Sequence, residues 1–72
     1  MRSSFNNKVK AQRELERALM AGNRSRAEAA LNRGANPSKV DAQDSLSLLQ
    51  AIIINGAPLE MIEFLATAIF WF

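Results

Sequence analysis

Apolar residues recur along the chain at intervals of three and four, which is the spacing of one face of an α-helix. The first such segment predicts a helix that begins at Ser4 or Asn7, either of which has a side chain suited to an N-cap. This helix is expected to stop near Gly22 and Asn23. Its apolar face consists of Val9, Ala11, Leu15, Ala18 and Leu19.

A second, shorter helix follows. Ser25 is the predicted N-cap, and Glu28 stands three positions later, the spacing of a capping box. Gly34 is expected to end the helix, and Pro37 cannot continue it, so residues 34–38 are interpreted as a turn. The predicted apolar side of this helix is Ala27, Ala30 and Leu31.

The second half of the chain repeats this order. A third helix is predicted to begin at Asp44 or Ser45 and to end at Asn55 and Gly56. Pro58 is expected in the first turn of a fourth helix that runs toward the C-terminus. The apolar residues of the third helix are Leu48, Leu49, Ile52 and Ile53. The pattern therefore predicts two helical hairpins joined by an extended segment.

The two hairpins align at one constant offset, which places Leu15 on Leu49, Gly22 on Gly56 and Leu31 on Leu65. In the second hairpin, Ser47-Leu-Leu-Gln, Ile52-Ile53 and Asn55-Gly56 resemble the pattern of the ankyrin repeat, whose unit of about 33 residues is a β-turn followed by two helices. The run Gly34-Ala35-Asn36-Pro37 with Asp41 is similar to the turn of that family. The resemblance covers roughly residues 13–66.

The resemblance implies an all-α single domain of two ankyrin-like helix-turn-helix repeats, with four helices and no proper C-terminal cap. Residues 1–12 would extend the first helix, 13–35 would form repeat 1, 36–46 the finger loop, and 47–72 repeat 2 with an aromatic tail. It also implies a partner-binding surface on the finger and on the inner face of the first helices. That surface would comprise Arg13, Arg17, Met20, Asn36, Lys39, Val40, Asp41, Gln43, Ile54 and Asn55.

The composition narrows the possible chemistry. The chain has neither Cys nor His, which removes thiolate chemistry and the commonest general base and zinc ligand. We therefore expect no enzyme activity and no cofactor or metal. Asp41 and Asp44 are interpreted as turn and N-cap residues. No apolar segment approaches the ~20 residues of a membrane span, and no secretory signal is recognisable, so we expect a cytoplasmic protein.

Charge is distributed unevenly along the chain. Residues 1–39 carry all nine Lys and Arg and three carboxylates, a net charge of +6, whereas residues 40–72 carry four carboxylates and no base. The basic half could attract an acidic protein, the acidic half of a second copy, or nucleic acid. Glu14 and Glu16 interrupt the basic stripe, which favours a solvated helix face over a nucleic-acid site.

The last helix carries two apolar stripes. One comprises Leu59, Ile62, Leu65 or Ala66, and Ile69, and the other Met61, Phe64, Ala68 and Trp71. One stripe is expected inside the hairpin and the other toward the place of a missing third repeat. We assign the second stripe, with Phe70 and Phe72, to self-association as a homodimer. Two alternatives stay open, namely that the aromatic tail folds back over the core or that it touches a membrane surface.

These observations favour a small, non-enzymatic protein-interaction module that docks on a partner protein. It would act as an inhibitor or adaptor, such as a phage or bacterial regulator, and would self-associate. The competing function is nucleic-acid binding through the basic N-terminal half.

Overall fold

The structure, a computed structural model, describes residues 4–71, and the side chains of residues 7–71. This part of the chain is all-helical, as predicted. Its helices are α1 (Ser4–Ala21), α2 (Arg24–Asn32), α3 (Leu48–Ile54) and α4 (Leu59–Trp71). They form two hairpins, α1–α2 and α3–α4, and the connection between the hairpins carries an antiparallel β-bridge between Val40 and Ser47.

The first helix of each hairpin ends in the same way, at positions that the repeat offset places on one another. Gly22 and Gly56 adopt φ values of +74° and +81°, a region that favours glycine because it has no Cβ. After each glycine the next backbone N–H returns to the helix, with 2.9 Å from Asn23 N to the Ala18 oxygen and 2.9 Å from Ala57 N to the Ile52 oxygen. These bonds form a Schellman motif at both positions, so the offset found in the sequence corresponds to one repeated turn.

Two of the predicted helix starts fall close to the observed ones. Helix α1 begins at Ser4, so Asn7 lies inside the helix and does not begin it. Pro58 lies directly before α4, where its carbonyl oxygen accepts hydrogen bonds from the N–H groups of Met61 and Ile62. Proline suits this place because its own nitrogen has no hydrogen to donate.

The predicted cap of α2 is wrong by two residues. Asn23, which the sequence pattern assigned to the turn, is the N-cap, and its side-chain oxygen accepts a 3.1 Å hydrogen bond from Arg26 N. The carboxylate of Glu28 instead lies 3.5 Å from Arg24 Nε, one helical turn earlier. Ser25 lies inside the helix, because the two-residue turn is short enough for the helix to begin at Arg24.

The predicted start of α3 is also wrong. Ser47 is the N-cap, and it forms a capping box with Gln50, at 3.2 Å from Gln50 N to Ser47 Oγ and 2.9 Å from Ser47 N to Gln50 Oε1. Asp44 instead accepts a 2.9 Å hydrogen bond from Leu46 N. Ser45 has φ +61°, which is incompatible with a right-handed helix. The turn that contains Asp44 and Ser45 thus delays the helix.

The core lies where α1 packs against the other three helices. Most apolar positions predicted for α1 and α2 are buried in it, and Leu15 and Leu19 are completely inaccessible. Val9 is only partly covered. The buried hydrophobic residues are Ala11, Leu15, Ala18, Leu19, Ala27, Ala30, Leu31, Ala35, Leu48, Ile52, Ala57, Met61, Leu65 and Ala68. Each fully buried leucine contributes about 1.5–3 kcal/mol relative to an exposed one.

A buried glutamine attaches the turn after α2 to α1. The side chain of Gln12 donates to the Asn36 backbone oxygen at 3.0 Å and accepts from Asn36 N at 2.8 Å. Both polar ends of the amide are therefore satisfied, as a buried amide requires. This pair of hydrogen bonds holds the beginning of the inter-hairpin connection against the first helix.

Candidate protein-interaction surfaces

The finger loop, predicted as residues 36–46, contains an ordered hairpin-like segment at residues 39–47, which we call the finger. Its two sides are joined by hydrogen bonds of 2.9 Å from Asp41 N to the Leu46 oxygen and 2.9 Å from Leu48 N to the Lys39 oxygen. The carboxylate of Asp41 also accepts a 2.7 Å hydrogen bond from Gln43 N. The finger therefore presents its exposed side chains from a backbone that is already ordered.

One exposed side of α1 and one exposed side of α3 lie beside the finger. Arg13, Arg17 and Met20 are spaced by four and three residues, so they share one exposed side of α1. Ile54, which the repeat offset places on Met20, is exposed on α3. We call the finger face the exposed surface formed by Arg13, Arg17, Met20, Lys39, Val40, Asp41, Gln43, Ile54 and Asn55.

One cleft brings residues of the finger together with residues of α1 and α3. Lys39 and Asp41 line it together with Glu16 of α1 and Ala51 of α3. Sequence reasoning missed Glu16, although its position three residues after Arg13 and four before Met20 places it on the same side of α1. The finger and both first helices therefore meet at one place, where side chains of both charge signs are available.

Asn36 was predicted to belong to the partner-binding surface, but we do not include it in the finger face. It is exposed, but its backbone pairs with Gln12, and its side-chain oxygen accepts a 2.9 Å hydrogen bond from Ser38 N. The hydrogen bonds of Asn36 therefore hold the turn, which is a structural role.

The assignment of self-association to Met61, Phe64, Ala68 and Trp71 is wrong for the centre of that stripe. Met61 is 1% exposed and Ala68 is 4% exposed, because they pack in the core, and Phe64 is half-buried. A second chain cannot contact Met61 or Ala68 without opening the hairpin. The helical period identified two stripes but could not decide which one meets the first hairpin.

The aromatic tail does not fold back over the core at the positions that the structure describes. Phe70 is 90% exposed and Trp71 is 78% exposed. Phe72 lies outside the described residues. The alternative of a tail that covers the core is therefore excluded for residues 70 and 71.

The other stripe of α4 points away from the first hairpin through Ala66 and not through Leu65, which is completely buried. Helix α4 turns Phe64 and Ala68 toward α2, so the residues on its opposite side face outward. Helix α3 turns Leu48 and Ala51 toward α1, which leaves Leu49 and Ile53 on the outer side. We call the end face the apolar surface that these residues form, Leu49, Ile53, Leu59, Ile62, Ala66 and Ile69.

A groove of about 480 Å³ between α2 and α4 was not predicted. The guanidinium of Arg24 lies over the ring of Phe64, with Cζ 5.3 Å from the ring centroid, and carboxylates of Glu28, Glu60 and Glu63 line the walls. The spacing of Arg24 and Glu28 was the only available sequence signal, and it indicates no more than a surface ion pair. The guanidinium of Arg24 thus places a cation of the chain itself at the wall of the groove, beside these carboxylates.

The basic residues of the first hairpin form a broken surface. Arg33 forms an ion pair with Glu14, and Arg24 pairs with Glu28, whereas Arg13 and Arg17 are exposed on the finger face. Carboxylates therefore interrupt the basic surface in three dimensions as they do in the sequence.

The described residues offer neither a metal cluster nor a membrane span. Within residues 4–71, no three carboxylates lie close enough to one another to hold a metal ion. None of the helices in that range combines the length and the apolar character that crossing a membrane requires.

A comparison of the chain with protein-family models, with curated proteins and with solved structures gives no match. Function must therefore be argued from the surfaces themselves.

Proposed function

We propose that the chain is a protein-interaction module of two ankyrin-like hairpins that docks on a partner protein through the finger face and thereby blocks or anchors that partner. The observation that carries this proposal is the exposure of Met20, Val40 and Ile54, three apolar side chains that the core does not use. They lie among charged residues of both signs, an arrangement in which apolar contacts supply affinity and charges supply orientation.

The local geometry supports the ankyrin-like arrangement. The turns at Gly22 and Gly56 have the same hydrogen bonds, and the finger between the hairpins is closed by a β-bridge. Ser47 and Gln50, which stand where the family has threonine and histidine, connect the finger to α3 through the capping box. These features order the binding residues before a partner arrives, which reduces the entropy lost on binding.

Affinity purification from the native cells tests the proposal, with the intact chain and three variants as bait. Met20→Glu and Ile54→Glu each place a carboxylate on the finger face. Ala29→Glu is the matched control, since Ala29 is exposed on the far side of α2. We expect a protein that the intact chain and the control retain and that both finger-face variants lose.

The competing function, nucleic-acid binding, predicts a different result. Binding through phosphate neutralisation would depend on Arg13 and Arg17 and would weaken steeply with salt. A mobility shift with duplex DNA or RNA at submicromolar protein concentration and about 0.15 M salt, lost when both arginines are changed to glutamate, would overturn the proposal. So would the absence of any protein that distinguishes the finger-face variants from the control.

A further inference from the structure

We infer that the end face is a self-association surface through which two copies meet about a two-fold axis. This inference is independent of the finger face, which lies on another side of the molecule. Ile53 is 52% exposed and Leu59 is 71% exposed, and Leu49, Ile62 and Ile69 pack on the core while remaining partly accessible. Ala66 is exposed between them.

The composition of the end face suits a second copy. All six residues are uncharged and aliphatic, so two end faces bring no like charges together at their centre. The carboxylates of α4, Glu60 and Glu63, line the groove toward α2, and Glu63, one turn after Leu59, lies at the border of the end face and not at its centre. An apolar surface that lacks polar groups of its own is complementary to another surface of the same kind.

The opposite end of the molecule determines how the copies are arranged. There, the outer sides of α1 and α2 carry Lys10, Glu14, Arg26 and Arg33 around shallow clefts. Stacking an end face on that surface would bury the charges of Lys10 and Arg26, together with the Glu14–Arg33 ion pair, against aliphatic side chains, which costs free energy. Only like ends can therefore meet, and the result is a closed dimer and not a filament.

The size of the end face sets the expected affinity. The largest apolar patch on an ordinary monomer measures about 300–600 Å², and at that size a symmetric pair would bury roughly 600–1,200 Å², below or at the lower limit of stable interfaces. We therefore expect a weak dimer that dissociates when the chain is diluted. Phe70, which follows Ala66 by one turn of α4 and is exposed, lies at the border of this contact.

Two adjacent isoleucines allow a matched test by sedimentation equilibrium. Ile53 and Ile54 are both exposed on α3, but Ile53 lies on the end face and Ile54 on the finger face. As the protein concentration is raised from about 5 to about 500 μM, we expect the average molecular mass of the intact chain and of Ile54→Glu to increase from 8.0 kDa toward twice that value. Ile53→Glu should remain monomeric throughout. If circular dichroism shows that Ile53→Glu has lost helix, Leu59→Lys is used in its place. Leu59 is the first residue of α4 and is exposed, so a lysine there should leave the helix intact.

Salt distinguishes this dimer from the attraction between the basic and acidic halves of two copies. Because residues 40–72 carry only carboxylates, screening at about 0.5 M salt should leave the end-face dimer as strong as at about 0.05 M, or stronger. Head-to-tail attraction would weaken over that range. A monomer at all concentrations, association that Ile53→Glu or its replacement leaves intact, or a dimer that dissociates in high salt would overturn the inference.

Discussion

Leu19 and Ile53 occupy equivalent places in the two hairpins, yet Leu19 is completely buried and Ile53 is 52% exposed. Leu15 and Leu49 differ in the same sense. The chemical character of the two positions is the same, so the difference comes from the neighbour. The second hairpin covers the first, and within the described residues nothing covers the second.

In a repeated fold, the burial of a residue therefore depends on whether a neighbouring unit covers it, and not on the residue type alone. A unit of this type buries its hydrophobic face against the next unit. The same leucine or isoleucine pattern therefore forms a core in one hairpin and an accessible surface in the other.

Substitution of Leu19 by alanine is expected to change the free energy of unfolding most, and the same substitution at Ile53 is the matched comparison. Leu19→Ala removes a fully buried side chain and should lower the free energy of unfolding by about 2–5 kcal/mol. Ile53→Ala should lower it by less than about 1 kcal/mol, because water already reaches that side chain. Urea denaturation followed by circular dichroism measures both values, at a concentration where the chain is monomeric. Equal losses would show that the two positions are equally covered in solution.

The next effect concerns Gly34 at the end of α2, which the repeat offset places on Ala68, a residue inside α4. Gly34 has φ +106°, and a Cβ there would lie 3.5 Å from the Lys8 side chain. Gly34→Val should destabilise the chain by about 1–3 kcal/mol, since β-branched residues are strained at positive φ. Asn32→Val, an exposed change two residues earlier, is the control for surface valine. If thermal unfolding finds the two variants alike, the strained turn is not needed.

The smallest change in stability is expected at the N-cap of α3, where the second hairpin begins. Helix α3 has only seven residues and begins with the Ser47–Gln50 capping box. Ser47→Ala should cost about 1 kcal/mol in urea denaturation, the usual value for losing an N-cap side chain. Ser38→Ala, also exposed on the connection, should change stability by less than about 0.5 kcal/mol. A neutral result at Ser47 would mean that packing alone holds α3 in place.

Much of the fold followed from the sequence because periodicity and glycine act locally. The spacing of Leu15 and Leu19 identified a buried face, and Gly22, Gly34 and Gly56 identified where helices end. The errors arose where several local signals compete. Ser25, Asp44 and Ser45 are all acceptable caps, and only the lengths of the neighbouring turns select Asn23 and Ser47 instead.

The candidate surfaces were less predictable for a different reason. The exposure of the finger-face residues could be predicted because exposed loop and helix positions follow from the repeat pattern, whereas their role in binding stays a prediction. The end face could not, since Met61 and Ile62 belong to stripes of similar hydrophobicity and only packing shows which one is covered. Gln12 was missed because a polar residue in a helix is usually exposed, although its spacing of three residues from Leu15 and seven from Leu19 puts it on the apolar side.

The pair of hydrogen bonds between Gln12 and Asn36 has a consequence for the order in which the chain folds. It joins two residues that are 24 positions apart, within the first hairpin and the turn after it. This segment needs no residue of the second hairpin, and the ribosome synthesises all of it before α3. Helix α3 is shorter than the ~12–15 residues that an isolated helix needs, so it must form on a surface that already exists. We therefore expect the basic half of the chain to be the template on which the acidic half folds.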